Sequence, residues 1–205
     1  KPYEFDDHIK DLKIKGYEVI KAETGKQALK LMTLHSSNES PTKDLILLAH
    51  GSPGGLSNGS GGGVYTQMEI ANFAKSEWMS DNGGILMEAF LLRKGLTSKF
   101  NLERADKALN SEEFEYYKKA RWLVAKEEAI KNYKNKTGAI SIADIEIAIE
   151  SNSFQTDNLT IVCGACNSGG KVPLDNQNLF STELSIGTSS TTFAPRGLSG
   201  KPNGT

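Results

Sequence analysis

The chain has 205 residues, 38 % hydrophobic and 24 % charged, with 24 Lys+Arg against 25 Asp+Glu; this is the size and balance of one large or two small globular domains. A net charge of −1 leaves no global basic field for a dedicated nucleic-acid binder. No apolar run is long enough for a transmembrane helix, the polar opening KPYEFDDHIK is unlike a signal peptide, and two cysteines cannot build a disulfide framework. The start at Lys1 and the turn-rich end SGKPNGT read as a piece of a longer protein. Two local features need explanation: Cys163 and Cys166 lie three apart, and seven of the 20 glycines fall between Gly51 and Gly63.

The first third alternates strands and helices. Tyr17-Glu18-Val19-Ile20 is a strand candidate. Thr24 with Gln27 three positions on marks a helix start, and Ala28, Leu29, Leu31, Met32 and Leu34 supply its apolar stripe. Leu45-Ile46-Leu47-Leu48-Ala49 is a short apolar run that suits a strand covered on both faces. Strand, helix and strand in this order predict a parallel α/β sheet.

The middle is helical. Thr66 with Glu69, and Ser111 ahead of a long run to Lys136, mark helix starts; Gly138 marks a stop. Residues 93–136 carry 12 Lys/Arg and 7 Asp/Glu, which reads either as a solvated helix surface or as a docking face for an anionic effector or partner. Ile140–Glu150 leans to helix, with Ser141 and Asp144 as its cap, although Ile145, Ile147 and Ile149 alternate as in a strand.

The last third returns to α/β. Leu159–Cys163 is a buried-type strand, Asn178–Ile186 a helix, and Thr191–Ala194 a final strand running into Pro195-Arg196-Gly197. No internal repeat is present, so the chain reads as one domain with a helical insertion.

Of the three histidines, His8 and His35 sit in polar or helix-end positions and read as surface residues. His50 follows a buried strand, at the carboxyl end where ligands bind in open α/β sheets, and an imidazole exchanges protons near neutral pH. Capping backbone groups is the competing role for it. Cys166 has matching placement, among Gly164, Gly169 and Gly170. A cysteine there can attack as the thiolate, which a nearby imidazole favours, and its backbone N–H can face a developing oxyanion. Cys163, inside the apolar run, suits a small buried hydrophobe.

Other chemistry fits less well. A thioredoxin-type pair places both cysteines past the strand end; here Cys163 belongs to the strand. Zinc needs two further ligands of suitable spacing, so no metal is expected. The stretch GSPGGLSNGSGGG contains neither a phosphate-loop G-x-x-x-x-G-K-[ST] nor a helix-opening G-x-G-x-x-G, and reads as flexible backbone beside His50, a substrate rim or plain slack.

An apolar strand ending in His-Gly (LILLAHG) and a later one ending in Ala-Cys-x-Ser-Gly (TIVCGACNSGG) resemble the caspase-like cysteine peptidases of clan CD. That group includes caspases, metacaspases, legumains, gingipain- and clostripain-type enzymes, separase, CHAT domains and the self-processing peptidase domains of bacterial toxins. TTFAPRG is similar to the strand that follows the catalytic cysteine in bacterial members and helps shape the substrate pocket. The resemblance covers about a third of the chain. It implies a three-layer α/β/α sandwich with a mostly parallel sheet and a large helical insertion, at about 66–150, between the His and Cys strands. It also implies a cysteine endopeptidase that processes its own parent polypeptide or another protein, without a cofactor. His50 and Cys166 would be the catalytic pair, with the Gly51 and Cys166 amides as oxyanion hole. Gly164, Ala165, Thr192, Phe193 and Arg196 would contact substrate.

Two departures stand out. Caspases place the histidine about 50 residues before the cysteine, and here 116 positions separate them; the helical insertion accounts for the excess. Family members that cleave after Arg or Lys have an acidic residue two positions before the cysteine, where this chain has Gly164. Arg196 could instead pair with an acidic P1 side chain, or lie exposed in a turn. The alternative to an enzyme is a non-catalytic caspase-like module whose helices bind a partner. A free thiol nucleophile implies a reducing compartment, the cytoplasm, reached by an enzyme of the same cell or by a delivered effector.

Overall fold

The computed structural model describes residues 5–52, 54–57, 62–96, 102–164 and 180–194. Ala165, Cys166 and Arg196 lie outside the described residues. The described chain is mixed α/β and divides into two compact units, residues 70–136 and the remainder.

The first unit opens with α1 (Asp6–Ile14), which has Asp6 and Asp7 in its first turn and Lys13 in its last, charges that complement the helix dipole. Gly16, at φ +85°, ends it. The expected strand at Tyr17–Ile20 is absent: the segment is irregular, and Tyr17 and Ile20 are exposed, with no strand beside them among the described residues. The helix α2 (Gly25–Leu34) forms as its sequence predicts, with the Thr24 hydroxyl accepting the Gln27 N–H at 3.2 Å. The Gln27 side chain reaches back to the Glu23 N–H at 2.7 Å, so the cap is reciprocal.

A three-stranded parallel sheet follows, in the order β1-β6-β7, from β1 (Thr42–Leu47), β6 (Thr156–Cys163) and β7 (Thr191–Phe193). In β6, Leu159, Ile161 and Cys163 are buried while Val162 is 38 % exposed. Thr160 beside Val162 is half-buried, so β6 is fully buried on one face only. In β1 Leu45, Ile46 and Leu47 are half-buried, and Leu48 and Ala49 lie past its end, so the run expected to be covered on both faces is only partly covered. The buried face meets Phe154, Phe180 and Leu184, with Leu29, Met32, Leu45 and Leu47 packed against them. Within this core lies α7 (Phe180–Gly187), where the predicted helix Asn178–Ile186 is described; its first two residues lie outside the described set.

A second, four-stranded sheet was not legible as strands. It has the order β2-β3-β4-β5, from β2 (His50–Ser52), β3 (Gly55–Ser57), β4 (Val64–Tyr65) and β5 (Ile140–Ser141). Strands of two or three residues carry no period-2 pattern. β4 and β5 are parallel neighbours. A parallel pair needs a long crossover, and residues 66–139 supply it. After β5, α6 (Ile142–Glu150) resolves the Ile140–Glu150 ambiguity as a helix, with the Asp144 carboxylate accepting both the Ser141 N–H at 2.7 Å and its hydroxyl at 3.0 Å. Ile142, Ile145 and Ala148 bury in the core of the first unit.

The crowded glycines acquire a structural role here. Gly25 N–H donates to Gly62 O, Lys26 N–H to Gly138 O at 2.9 Å, and Ile140 N–H to Gly63 O at 3.0 Å. A Cβ on Gly25 would overlap Gly63 O, and one on Gly62 would stand 2.5 Å from Thr137 O. Gly138 holds φ +72° against Thr24. The glycines let three backbones approach closely, and the first amides of α2 are already paired.

The second unit is built from α3 (Gln67–Arg93), α4 (Leu102–Leu109) and α5 (Glu112–Thr137). Thr66 and Ser111 cap as predicted: the Thr66 hydroxyl accepts the Glu69 N–H at 3.2 Å, and Ser111 accepts the Phe114 N–H at 3.3 Å. Between α3 and α5 the ring contacts are Phe73–Tyr133 at 5.9 Å, Trp78–Trp122 at 5.8 Å, and Phe90 with Phe114 at 5.0 Å and Tyr117 at 5.4 Å. Ascending positions in one helix meet descending positions in the other, so the two run antiparallel. Lys136 pairs with Glu77 at 2.8 Å, and that hydrogen bond and charge hold the ammonium above its ordinary pKa.

Candidate functional site

The three parallel strands end nearly level. Leu47 of β1 is opposite Cys163 of β6, and Val162 is opposite Phe193 of β7. Pairing continues one residue further, with Gly164 N–H donating to Leu47 O at 2.8 Å. Beyond this edge β1 leads into Leu48–Gly51, β6 into Gly164 and onward, and β7 into Ala194. His50 stands three positions past Leu47, as Cys166 stands three past Cys163. The carboxyl edge of the parallel sheet thus carries the roots of the segments leading to His50, Cys166 and Arg196.

His50 is exposed and opens β2, paired with Ser57. Its ring centroid is 6.2 Å from that of Phe5, tilted by 57°, a neighbour that no sequence pattern announced. Gly51 has a defined orientation. Thr66 N–H donates to Gly54 O at 2.9 Å, which makes Gly54/Thr66 a hydrogen-bonded pair of the β3–β4 ladder. Antiparallel pairs alternate, so the polar groups of Leu56 face Val64 in β4 and not Gly51. The Gly51 amide therefore points away from β3. Among the described strands β2 lies at the edge of its sheet, so that amide faces outward from the ladder.

Gly164 packs against Leu48. A Cβ there would overlap Leu48 Cδ2, so no side chain fits at this position without displacing Leu48. In β7, Thr192 is half-buried, with Oγ1 3.1 Å from Ser190 Oγ, and Phe193 is 57 % exposed. Cys163 is 2 % exposed in the core, a free thiol that burial pushes up to about 11. It is a packing residue, as its place within the apolar run suggested. His8 is exposed, and His35 caps α2 with Nδ1 3.2 Å from Glu18 Oε1.

Of the predicted site residues, the structure gathers His50, Gly51, Gly164, Thr192 and Phe193 on segments rooted at or just beyond one sheet edge. Ala165, Cys166 and Arg196 are outside the described residues. No group of three or more His, Cys, Asp or Glu among the described residues is arranged to hold a metal ion, and no described helix is long and apolar enough to cross a membrane. Sequence reasoning missed Phe5, Leu48 and the orientation of Gly51; the Gly164–Leu48 proximity could have been found only by knowing the strand register. Comparison with family models, with curated proteins and with solved structures finds no match for this chain.

Proposed function

We propose that the chain is a cysteine endopeptidase of caspase-like architecture in which His50 and Cys166 act as a dyad. The observation that carries this reading is the Leu47–Cys163 pairing at the carboxyl edge of the parallel sheet, from which both residues follow at equal distance along the chain. Covalent geometry alone keeps Cys166 within about 11 Å of Cys163, three residues of extended chain. The outward Gly51 amide supports an oxyanion-hole role.

In the proposed reaction the Cys166 sulfur forms a bond to the scissile carbonyl carbon, and the carbonyl electron pair moves to oxygen. The Gly51 and Cys166 amides donate to that oxyanion. Its collapse breaks the C–N bond as protonated His50 gives its proton to the leaving amine. Water then attacks the thioester, His50 takes its proton, and the thiolate is released. A buried Cys163 thiol with a pKa of about 11 counts against a Cys163–Cys166 redox couple.

On specificity, the space beside Gly164 where an acidic side chain would project is filled by Leu48. A basic P1 residue lacks the charge of its usual partner, and a side chain there would have to displace the tip of Leu48, so the proposed substrates carry small or apolar P1 residues, or an acidic one if Arg196 supplies the countercharge.

The test is cleavage of a proteome-derived peptide library under reducing conditions by wild type, Cys166→Ala and His50→Ala, with new termini mapped by mass spectrometry. The reading expects a common cleavage motif from wild type that both variants lose. Equal cleavage by Cys166→Ala, or none by wild type, refutes it.

A further inference from the structure

The hairpin that carries His50 and Gly51 is fastened at its tip to the start of the long helix α3. Gly54, in the turn between β2 and β3, accepts the Thr66 N–H at 2.9 Å. Thr66 is 1 % exposed, and its hydroxyl accepts the Glu69 N–H at 3.2 Å as the cap of α3. Glu69 then lies against the same turn: a Cβ on Gly54 would stand 2.9 Å from Glu69 Cδ and 3.1 Å from Oε2. The Glu183 carboxylate accepts the next amide, that of Gln67, at 3.0 Å. On the far side, β4 ends at Tyr65 and pairs with both β3 and β5. One residue thus ends the small sheet, begins α3 and holds the tip of the His50 hairpin.

Among the described residues β2 pairs with β3 in its sheet, so β3 and the turn that joins them help to place it. Loss of the Thr66 hydroxyl frees the first turn of α3, and the Thr66 N–H moves with it. Displacing Gly54 tilts the hairpin, and a tilt there moves the His50 ring and the Gly51 amide together.

We propose that Thr66 is a positioning residue that ties the first turn of α3 to the His50 hairpin and so sets the placement of His50 and Gly51 in the dyad. This rests on the peptidase reading and adds a positioning residue to that site.

The experiment is the rate of Cys166 alkylation by iodoacetamide as a function of pH, read by mass spectrometry, with the buried Cys163 as an internal check of folding. A dyad gives wild type an inflection below the ordinary thiol value of about 8.5, and His50→Ala returns it to that value. Thr66→Val keeps the shape and removes the acceptor; it should move the inflection at least halfway towards the His50→Ala value. Thr66→Ser should restore the wild-type profile. Glu69→Ala, which removes the carboxyl packed on Gly54 without entering the core, should shift the inflection in the same direction and serves if Thr66→Val exposes Cys163. A wild-type inflection already at the ordinary value defeats the peptidase reading itself. A low wild-type inflection that Thr66→Val and Glu69→Ala both leave unchanged overturns the coupling alone.

Discussion

Replacing Gly63 by alanine tests whether the glycine-crowded stretch is a packed junction. A methyl group at Gly63 would overlap the Leu56 carbonyl oxygen and lie 2.8 Å from its carbon and 2.9 Å from Ser57 Cα. These are backbone atoms of β3, so no side chain can swing aside, and the strand must retreat by about an ångström to reach ordinary contact distances. Overpacking of this kind costs about 1–3 kcal/mol, and losing one ladder hydrogen bond adds about 1 kcal/mol. The expected destabilisation of the first unit is therefore about 2–4 kcal/mol. With a urea dependence of about 2 kcal/mol per molar, the midpoint falls by about 1–2 M. Two probes separate the units. Both tryptophans, Trp78 and Trp122, lie in residues 70–136, so their fluorescence follows the helical unit. In a Cys166→Ala background the remaining thiol, Cys163, is buried in the other unit, and its reaction with a chromogenic disulfide reports that unit. Gly63→Ala should bring forward Cys163 exposure. An unchanged Cys163 midpoint would refute the close-packed junction and return the stretch to plain slack.

The opposite effect is expected in α3, where an added Cβ on Gly83 or Gly84 meets nothing within 4 Å: Gly83→Ala and Gly84→Ala should each raise the tryptophan-reported stability by about 0.5–1 kcal/mol, and a loss at either position contradicts the open geometry. Burial raises the Cys163 thiol from near 9 to about 11, so the native state holds its proton more tightly than the unfolded chain. Its contribution is fully present below about pH 9 and is lost as pH rises towards 11, up to about 3 kcal/mol. Urea midpoints measured from pH 8 to 11 should fall more steeply for the parent than for Cys163→Ala, and parallel slopes would exclude a titrating buried thiol. Asp144→Ala removes the carboxylate that caps α6 through Ser141 and should cost about 0.5–2 kcal/mol, read as earlier exposure of Cys163; no change there contradicts the cap.

Long elements with a clear period were legible in the chain. The capped helix α2 and the helices beginning at Thr66 and Ser111 carry side-chain caps, and strands β1 and β6 carry apolar runs; the short β7, Thr191–Phe193, has Phe193 as its one apolar residue. Four short strands were not, because pairing between two-residue segments such as Val64-Tyr65 and Ile140-Ser141 is set by tertiary contact and leaves no pattern. The strand expected at Tyr17–Ile20 shows the converse error, since β-branched residues form a strand only where a neighbour completes the ladder. The glycines were readable as unusual but not as a junction: their meaning depends on Thr24, Thr137 and Leu56, which are distant in sequence. In the site, His50 and the strand ends followed from sequence order. The outward Gly51 amide and the Leu48 side chain over Gly164 required the register.

The central claim is a His50–Cys166 dyad, and the most direct measurement is the distance from Cys166 Sγ to the nearer His50 ring nitrogen in a crystal structure of the reduced chain. The account predicts about 3–4 Å, hydrogen-bond reach with the looser geometry of a substrate-free site. A separation near 10 Å, with both residues well ordered, contradicts it.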